Sequence, residues 1–303
     1  KRSRTGTAIL VICFLVIGFV AIAMLGSWLR GSDSEDSGWT DLFVDKDNKI
    51  GVIKIEGTIA SSDEILKQLR SFRKKKAVKA IVLRINSPGG TVAPAQEIYR
   101  EIRKVKEHKP VVASMETVGA SAAYYIASAT DRIVCSAGTI TGSIGVIMML
   151  PDIHNVIEKI GVGVNVIKAG AHKDIGSPLR KLSDADKEIL EKFAAEIHEQ
   201  FIKDVEAGRK GKIDEAKLRS IADGRFFCGE KAKEMGLVDS LGNFYDAIHV
   251  ACELGRVTGE PELVYPEKKW RNFVDVFTES ASGALVRKLA EQARLIESTP
   301  LLR

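Results

Sequence analysis

Between Lys49 and Ser136 short apolar strands alternate with stretches of helical spacing, and this alternation limits the fold more than any other feature of the chain. Lys49–Ile55, Val78–Ile85, Pro110–Ser114 and Asp131–Ser136 read as strands rich in β-branched residues. Ser62–Lys75 carries Ile65, Leu66, Leu69 and Phe72 on one helical face, and Ala93–Lys106 and Tyr124–Ala129 also read as helices. Strands joined by helices pair in parallel through crossovers, so an α/β fold with a largely parallel sheet and flanking helices is expected. Functional loops of such a sheet follow the strand ends. Two more strands are expected near Ile144–Met149 and Gly163–Ile167, with a helix around Asp152–Ile160 between them. Ser183 opens the longest helix of this part of the chain, with Asp186 as a capping-box acid and Ile189, Phe193, Ile197 and Phe201 forming one apolar stripe through about Glu206. Helical patterns follow at Ile213–Ala222 and Glu230–Met235, and Gly236–Asp239 reads as a turn.

Ala8–Leu29 carries no charge and exceeds the roughly 20 residues that cross a hydrocarbon core, which reads as one N-terminal transmembrane helix. A cleaved signal peptide has a shorter apolar core; Ala21–Ala23 imitates its cleavage site, but the apolar run continues to Leu29. Lys1, Arg2 and Arg4 precede the run and Asp33, Glu35 and Asp36 follow it, so the N-terminus is expected in the cytoplasm and the bulk of the chain on the extracytoplasmic side of the inner membrane. The expected organisation is a basic flank and anchor over residues 1–30, a Gly-, Ser- and acid-rich linker over 31–48, a catalytic domain over 49–265 and a tail over 266–303. The modest charge of +5 comes with no clustered basic face, which argues against nucleic acid as a partner. Cys13, Cys135, Cys228 and Cys252 lack C-x-x-C spacing and read as buried thiols, and no H-E-x-x-H or other metal-ligand spacing occurs, so neither a metal nor a cofactor is expected.

Three segments carry residue types that acyl transfer needs. The turn Asn86-Ser87-Pro88-Gly89-Gly90 frees backbone N–H groups to approach a ligand, because neither glycine bears a Cβ. Ser121 lies between a strand and a short helix among Ala120, Ala122 and Ala123, which leave space for a carbonyl. Lys173 supplies an amine, which takes a proton only when burial lowers its pKa from about 10.4 toward 7 or 8. Taken singly, the first reads as a turn, Ser121 as a helix cap and Lys173 as a solvated charge. Asp174 would oppose a neutral Lys173 unless its side chain diverges. His172 neighbours this segment, whereas His108, His154, His198 and His249 are expected to cap, pack or face solvent.

In their order, the segments INSPGG with Thr91 and Val92, GASAAYYIA from Gly119, TGSIGVIM at Thr141–Met148, AHKDIGSP at Ala171–Pro178 and DGRFFCGEKAKEMGLVD at Asp223–Asp239 resemble the signal peptide peptidase A family. These are membrane-anchored Ser/Lys peptidases of bacteria related to the Clp proteolytic subunit and the crotonases, and the resemblance runs from Lys49 to Ala251. It implies a Clp/crotonase-like fold, Ser121 as nucleophile, Lys173 as general base and the N–H groups of Gly90 and Ala122 as oxyanion hole. It also implies a homo-oligomer, an octamer in the single-repeat form, acting on remnant signal peptides and other unfolded or membrane-derived peptides near small or apolar side chains. Whether Ser121 and Lys173 meet within one chain or between two stays open at this point. The chain departs from the family pattern at Ala122 and Ala123, where Gly-Gly is usual, and at Cys228, where Thr is common. A crotonase-like acyl-CoA enzyme predicts no anchor, and a non-catalytic membrane scaffold predicts loss of Ser121 or Lys173.

Overall fold

The computed structural model describes residues 48–266, and the expected anchor at Ala8–Leu29 and most of the tail lie outside them. No helix among the described residues is long and apolar enough to cross a membrane. The described residues open with β1 (Lys49–Glu56), α1 (Asp63–Lys74), β2 (Val78–Ser87), α2 (Val92–Lys106), β3 (Val111–Ala120), α3 (Ala122–Ser128) and β4 (Arg132–Cys135), the expected alternation. β1, β2 and β3 pair in parallel in the order β1-β2-β3.

Side chains of successive strand residues point to opposite faces, so a central strand must be apolar on both. In β1, Ile50 and Val52 pack on one face, while Ile53 and Ile55 pack on the other. The Ile50 face also takes Val82, Val112 and Val134 and is covered by Ala247, Ile248 and Ala251 of α8 (Phe244–Gly255). The opposite face packs Leu69 and Phe72 of α1 and Ile98 and Ile102 of α2. Full burial of each such side chain stabilises the fold by about 1.5–3 kcal/mol.

β3 runs six residues beyond the expected end at Ser114 and divides its outer edge. Val112–Met115 pair with β4, which continues to β7 (Ser240–Leu241), and Val118–Ala120 pair with β5 (Ile140–Gly142). β5 in turn pairs antiparallel with β6 (Phe226–Cys228), and β8 (Glu262–Val264) closes the far side against β1. The fork matters because it leads two loops toward the end of β3.

No strand forms over 144–149 or 163–167, contrary to expectation. β-Branched composition favours an extended chain, but a strand also needs a ladder partner, and this chain offers none there. The short α4 (His154–Lys159) forms where expected, within a segment whose apolar residues face outward: Ile147 is 80% exposed, Met149 83% and Ile167 101%. α5 (Asp184–Gly208) starts with the expected capping box, Ser183 and Asp186 each satisfying the other's backbone N–H. Its stripe is buried only at Phe201; Ile189 and Phe193 are exposed. α6 (Glu215–Ile221) and α7 (Gly229–Met235) follow, and Gly236 ends α7 in the left-handed conformation that glycine adopts without strain. Of the cysteines, Cys135 is buried, Cys252 half-buried and Cys228 exposed, because Cys228 ends the edge strand β6; Cys13 lies outside the described residues.

Candidate active site

β3 enters a sharp bend at Ser121 and leaves it as α3. Ser121 has φ 53° and ψ −123°, a left-handed geometry that costs a non-glycine residue about 1–3 kcal/mol. Two hydrogen bonds hold it there: its N–H donates to the Gly142 carbonyl at 2.9 Å, and its carbonyl accepts from Tyr125 N–H at 2.9 Å. Although Ser121 occupies the cap position of α3, its hydroxyl caps nothing. A strained strand-to-helix bend with a free hydroxyl is the geometry that presents a nucleophile above a sheet.

The glycine turn is pressed against this bend. Gly89, at φ +114°, hydrogen-bonds through its carbonyl to Ile59 N–H at 2.9 Å, and Thr91 N–H returns to the Ile59 carbonyl at 2.8 Å. A Cβ on Gly90 would lie 2.1 Å from the Ile59 oxygen, and one on Gly89 would lie 2.8 Å from the Ser121 Cβ and 3.0 Å from the Ala122 nitrogen. The close approach therefore requires glycine at both positions. Neither Gly90 N–H nor Ala122 N–H is taken by a backbone acceptor among the described residues. Both border the same cavity as Ser121, about 90 Å³, walled by Val92, Ala95, Tyr125, Ile147, Ile197 and Phe201. Tyr125 stacks on Phe201 at 4.5 Å, and its hydroxyl donates to the Asp204 carboxylate. Burial, followed by that carboxylate, pushes the phenol pKa up, so the wall stays neutral.

Ser121 also borders a larger cleft, about 470 Å³, with Ser143, Gly145, Ala194, His198, Asp223 and Gly224. Here the Asp-Gly-Arg segment acquires a structural purpose: Gly224 N–H donates to the Ile144 carbonyl at 3.0 Å, and the Arg225 carbonyl accepts from Ser143 N–H at 2.8 Å. This clamp fixes the loop after β5, where Ser143 also has positive φ. His198, on α5, places Nε2 3.2 Å from the same Ile144 carbonyl. Sequence reasoning missed both residues as part of the cleft. Ser143 carried a usable signal, a hydroxyl between Gly142 and Gly145; His198 reaches the cleft only through long-range packing.

Lys173 stands elsewhere. It belongs to a run of turns in which its N–H donates to the Gly170 carbonyl at 3.2 Å, and its side chain is exposed. Among the described residues it borders neither Ser121 cavity, and its amine has no hydrogen-bond or ion-pair partner. Asp174 turns away from it into a fork with Arg180, at 2.9 and 3.1 Å, and an ion pair with Lys168 at 2.6 Å. Arg180 first, then Lys168, pulls the Asp174 carboxyl down to about 2. One chain thus unites Ser121, Gly90 and Ala122 and leaves Lys173 apart. No group of His, Cys, Asp and Glu suited to a metal occurs among the described residues.

Residues 103–258 match peptidase family S49. A candidate protease of Synechocystis sp. is 42% identical over 68% of this chain and 74% of its own length. A candidate signal peptide peptidase of Enterococcus faecium is 32% identical over 83% of this chain and 74% of its own. Protease 4 of Haemophilus influenzae is 35% identical over 68% of this chain, which spans 35% of that longer protein.

Proposed function

The chain belongs to the signal peptide peptidase A family, within peptidase family S49, and is a serine peptidase; on that premise we propose that Ser121 is its nucleophile and Lys173 its general base. The Gly90 and Ala122 N–H groups form the oxyanion hole in this reading. Neutral Lys173 takes the Ser121 hydroxyl proton as the oxygen attacks the peptide carbonyl. The carbonyl oxygen becomes an oxyanion between the two N–H groups. Lys173 then delivers its proton to the leaving amine, and water, activated the same way, releases the acyl group from Ser121. The observation that carries the reading is the packing of the glycine turn on Ser121, which brings Gly90 and Ala122, whose N–H groups have no backbone acceptor among the described residues, to the cavity that Ser121 borders.

A free amine at neutral pH needs burial, and Lys173 is exposed in a single chain. The reading therefore includes a homo-oligomer, an octamer by family resemblance, in which Lys173 of one copy meets Ser121 of the next. The outward-facing Ile147, Met149 and Ile167 support it, since apolar side chains at this density mark an interface. The fold is read as Clp/crotonase-like, with the anchor at Ala8–Leu29 holding the domain outside the inner membrane. Substrates are remnant signal peptides and other unfolded or membrane-derived peptides, held with a small or apolar side chain in the cavity walled by Val92, Ala95 and Tyr125. A serine-directed phosphonate probe tests the nucleophile: labelling maps to Ser121 and disappears in Ser121→Ala. Undiminished peptide hydrolysis by Ser121→Ala or Lys173→Ala overturns the assignment.

A further inference from the structure

The turns that carry Lys173 are fastened by charges that the reaction itself does not use. Arg180 lies at the centre. Its Nε and Nη2 grip the two oxygens of Asp174 at 2.9 and 3.1 Å, and its Nη1 donates to Asp186 at 2.6 Å. Lys168 closes the other side, reaching Asp174 at 2.6 Å and the Ala171 carbonyl at 2.8 Å. Asp186 is buried at the first turn of α5, so this fork ties the Lys173 turns to the start of a 25-residue helix.

The arrangement settles a conflict in the sequence. An aspartate beside a lysine favours the ammonium form, which cannot accept a proton. Here two cations occupy the Asp174 carboxylate, and no partner among the described residues is left beside the Lys173 amine. A planar guanidinium is needed because one side chain must satisfy two carboxylates at once. Of the other charged groups nearby, Asp152 pairs with His154 at the start of α4, His172 Nδ1 lies 3.4 Å from Asp186, Lys187 pairs with Glu191, and Lys181, Asp184, Glu158 and Lys159 also lie on these segments. Lys168 and Arg180 together balance Asp174 and Asp186.

We infer that Arg180 is a positioning residue for Lys173, holding Asp174 away from the amine while fixing the turn on α5. This rests on the reading of Lys173 as general base. Coulombic reasoning then gives opposite signs for two substitutions. Removing the Arg180 charge and freeing Asp174 stabilises the Lys173 ammonium; removing the Asp174 charge destabilises it.

The test is the pH dependence of kcat/KM for the full-length protein on a fluorogenic peptide. In Arg180→Ala the ascending limb is expected to move up by about half to one pH unit, with a roughly threefold to tenfold loss at pH 7. In Asp174→Asn it is expected to move down, and in the double variant it should return toward the parent position. A purely structural arginine would lower kcat and leave the limb in place, which overturns the inference. If Arg180→Ala does not fold, Asp174→Asn decides alone, and an unmoved limb overturns the inference. Lys173→Ala separates the two levels. Its inactivity beside unmoved limbs refutes only the role of Arg180, whereas its full activity refutes the base assignment on which that role depends.

Discussion

Gly89 lies so close to Ser121 that a Cβ on the glycine would sit 2.8 Å from the serine Cβ. Two loops that follow different strands are thereby locked in one geometry, the glycine turn after β2 and the bend after β3. Gly89→Ala adds this clash to a φ of +114° that alanine rarely adopts. The expected outcome is a loss of about 100-fold or more in kcat, with destabilisation of about 1–3 kcal/mol, measured by steady-state kinetics and thermal unfolding.

The bend at Ser121 stores strain that glycine would relieve. Ser121→Ala and Ser121→Gly both remove the hydroxyl and should both be inactive. Glycine accepts the φ of 53° without penalty, so Ser121→Gly should be the more stable of the two by about 1 kcal/mol, or about 2–4 °C in Tm. Equal melting temperatures would count against strain at this position.

Arg209 is fully buried and pairs with Asp239 at 2.7 Å, while Lys212 reaches the same carboxylate at 2.5 Å. Burial pushes the Asp239 pKa up, but Arg209 and Lys212 outweigh it and hold the group below its ordinary 3.8. A carboxyl depressed on folding contributes its stability above 3.8 and loses it as pH falls through the lower native value. Asp239→Asn should therefore cost about 3 kcal/mol at pH 7, because it leaves the buried guanidinium without its counter-charge. The gap from the parent protein should close as the pH is lowered below 3.8, as followed by denaturant unfolding across pH.

The cavity beside Ser121 has room for little beyond a small or medium apolar side chain. Ala95→Leu adds three carbons to its wall. Cleavage after leucine should fall about 10- to 200-fold in kcat/KM, while cleavage after alanine is largely retained, as read from a matched peptide series. An equal loss for both peptides would show that the cavity does not hold the side chain at the cleaved bond.

The legible parts of the sequence are those whose partners lie in the same chain. Val78–Ile85 and Ala93–Lys106 show their periods because each buries its apolar face on its own sheet. Ile144–Met149 and Gly163–Ile167 carry the same strand-like residues but find no ladder here, so their composition misled. Motif order singles out the glycine turn and Ser121 as candidates, and the two segments pack together in the fold. The positive φ of Ser121 and the presence of His198 in its cleft were not legible, since both follow from long-range packing. The exposure of Lys173 and its place outside the two cavities that Ser121 borders were not legible either, because spacing along a chain does not say which side chains line a cavity.

Co-expression of Ser121→Ala with Lys173→Ala tests the central claim most directly. Each variant alone is expected to be inactive. If Ser121 of one copy works with Lys173 of the next, randomly mixed assemblies pair an intact serine with an intact lysine at about one site in four, so about a quarter of parental activity should return. Mixed assemblies that form, as shown by dual affinity tags, yet recover no activity would contradict the account.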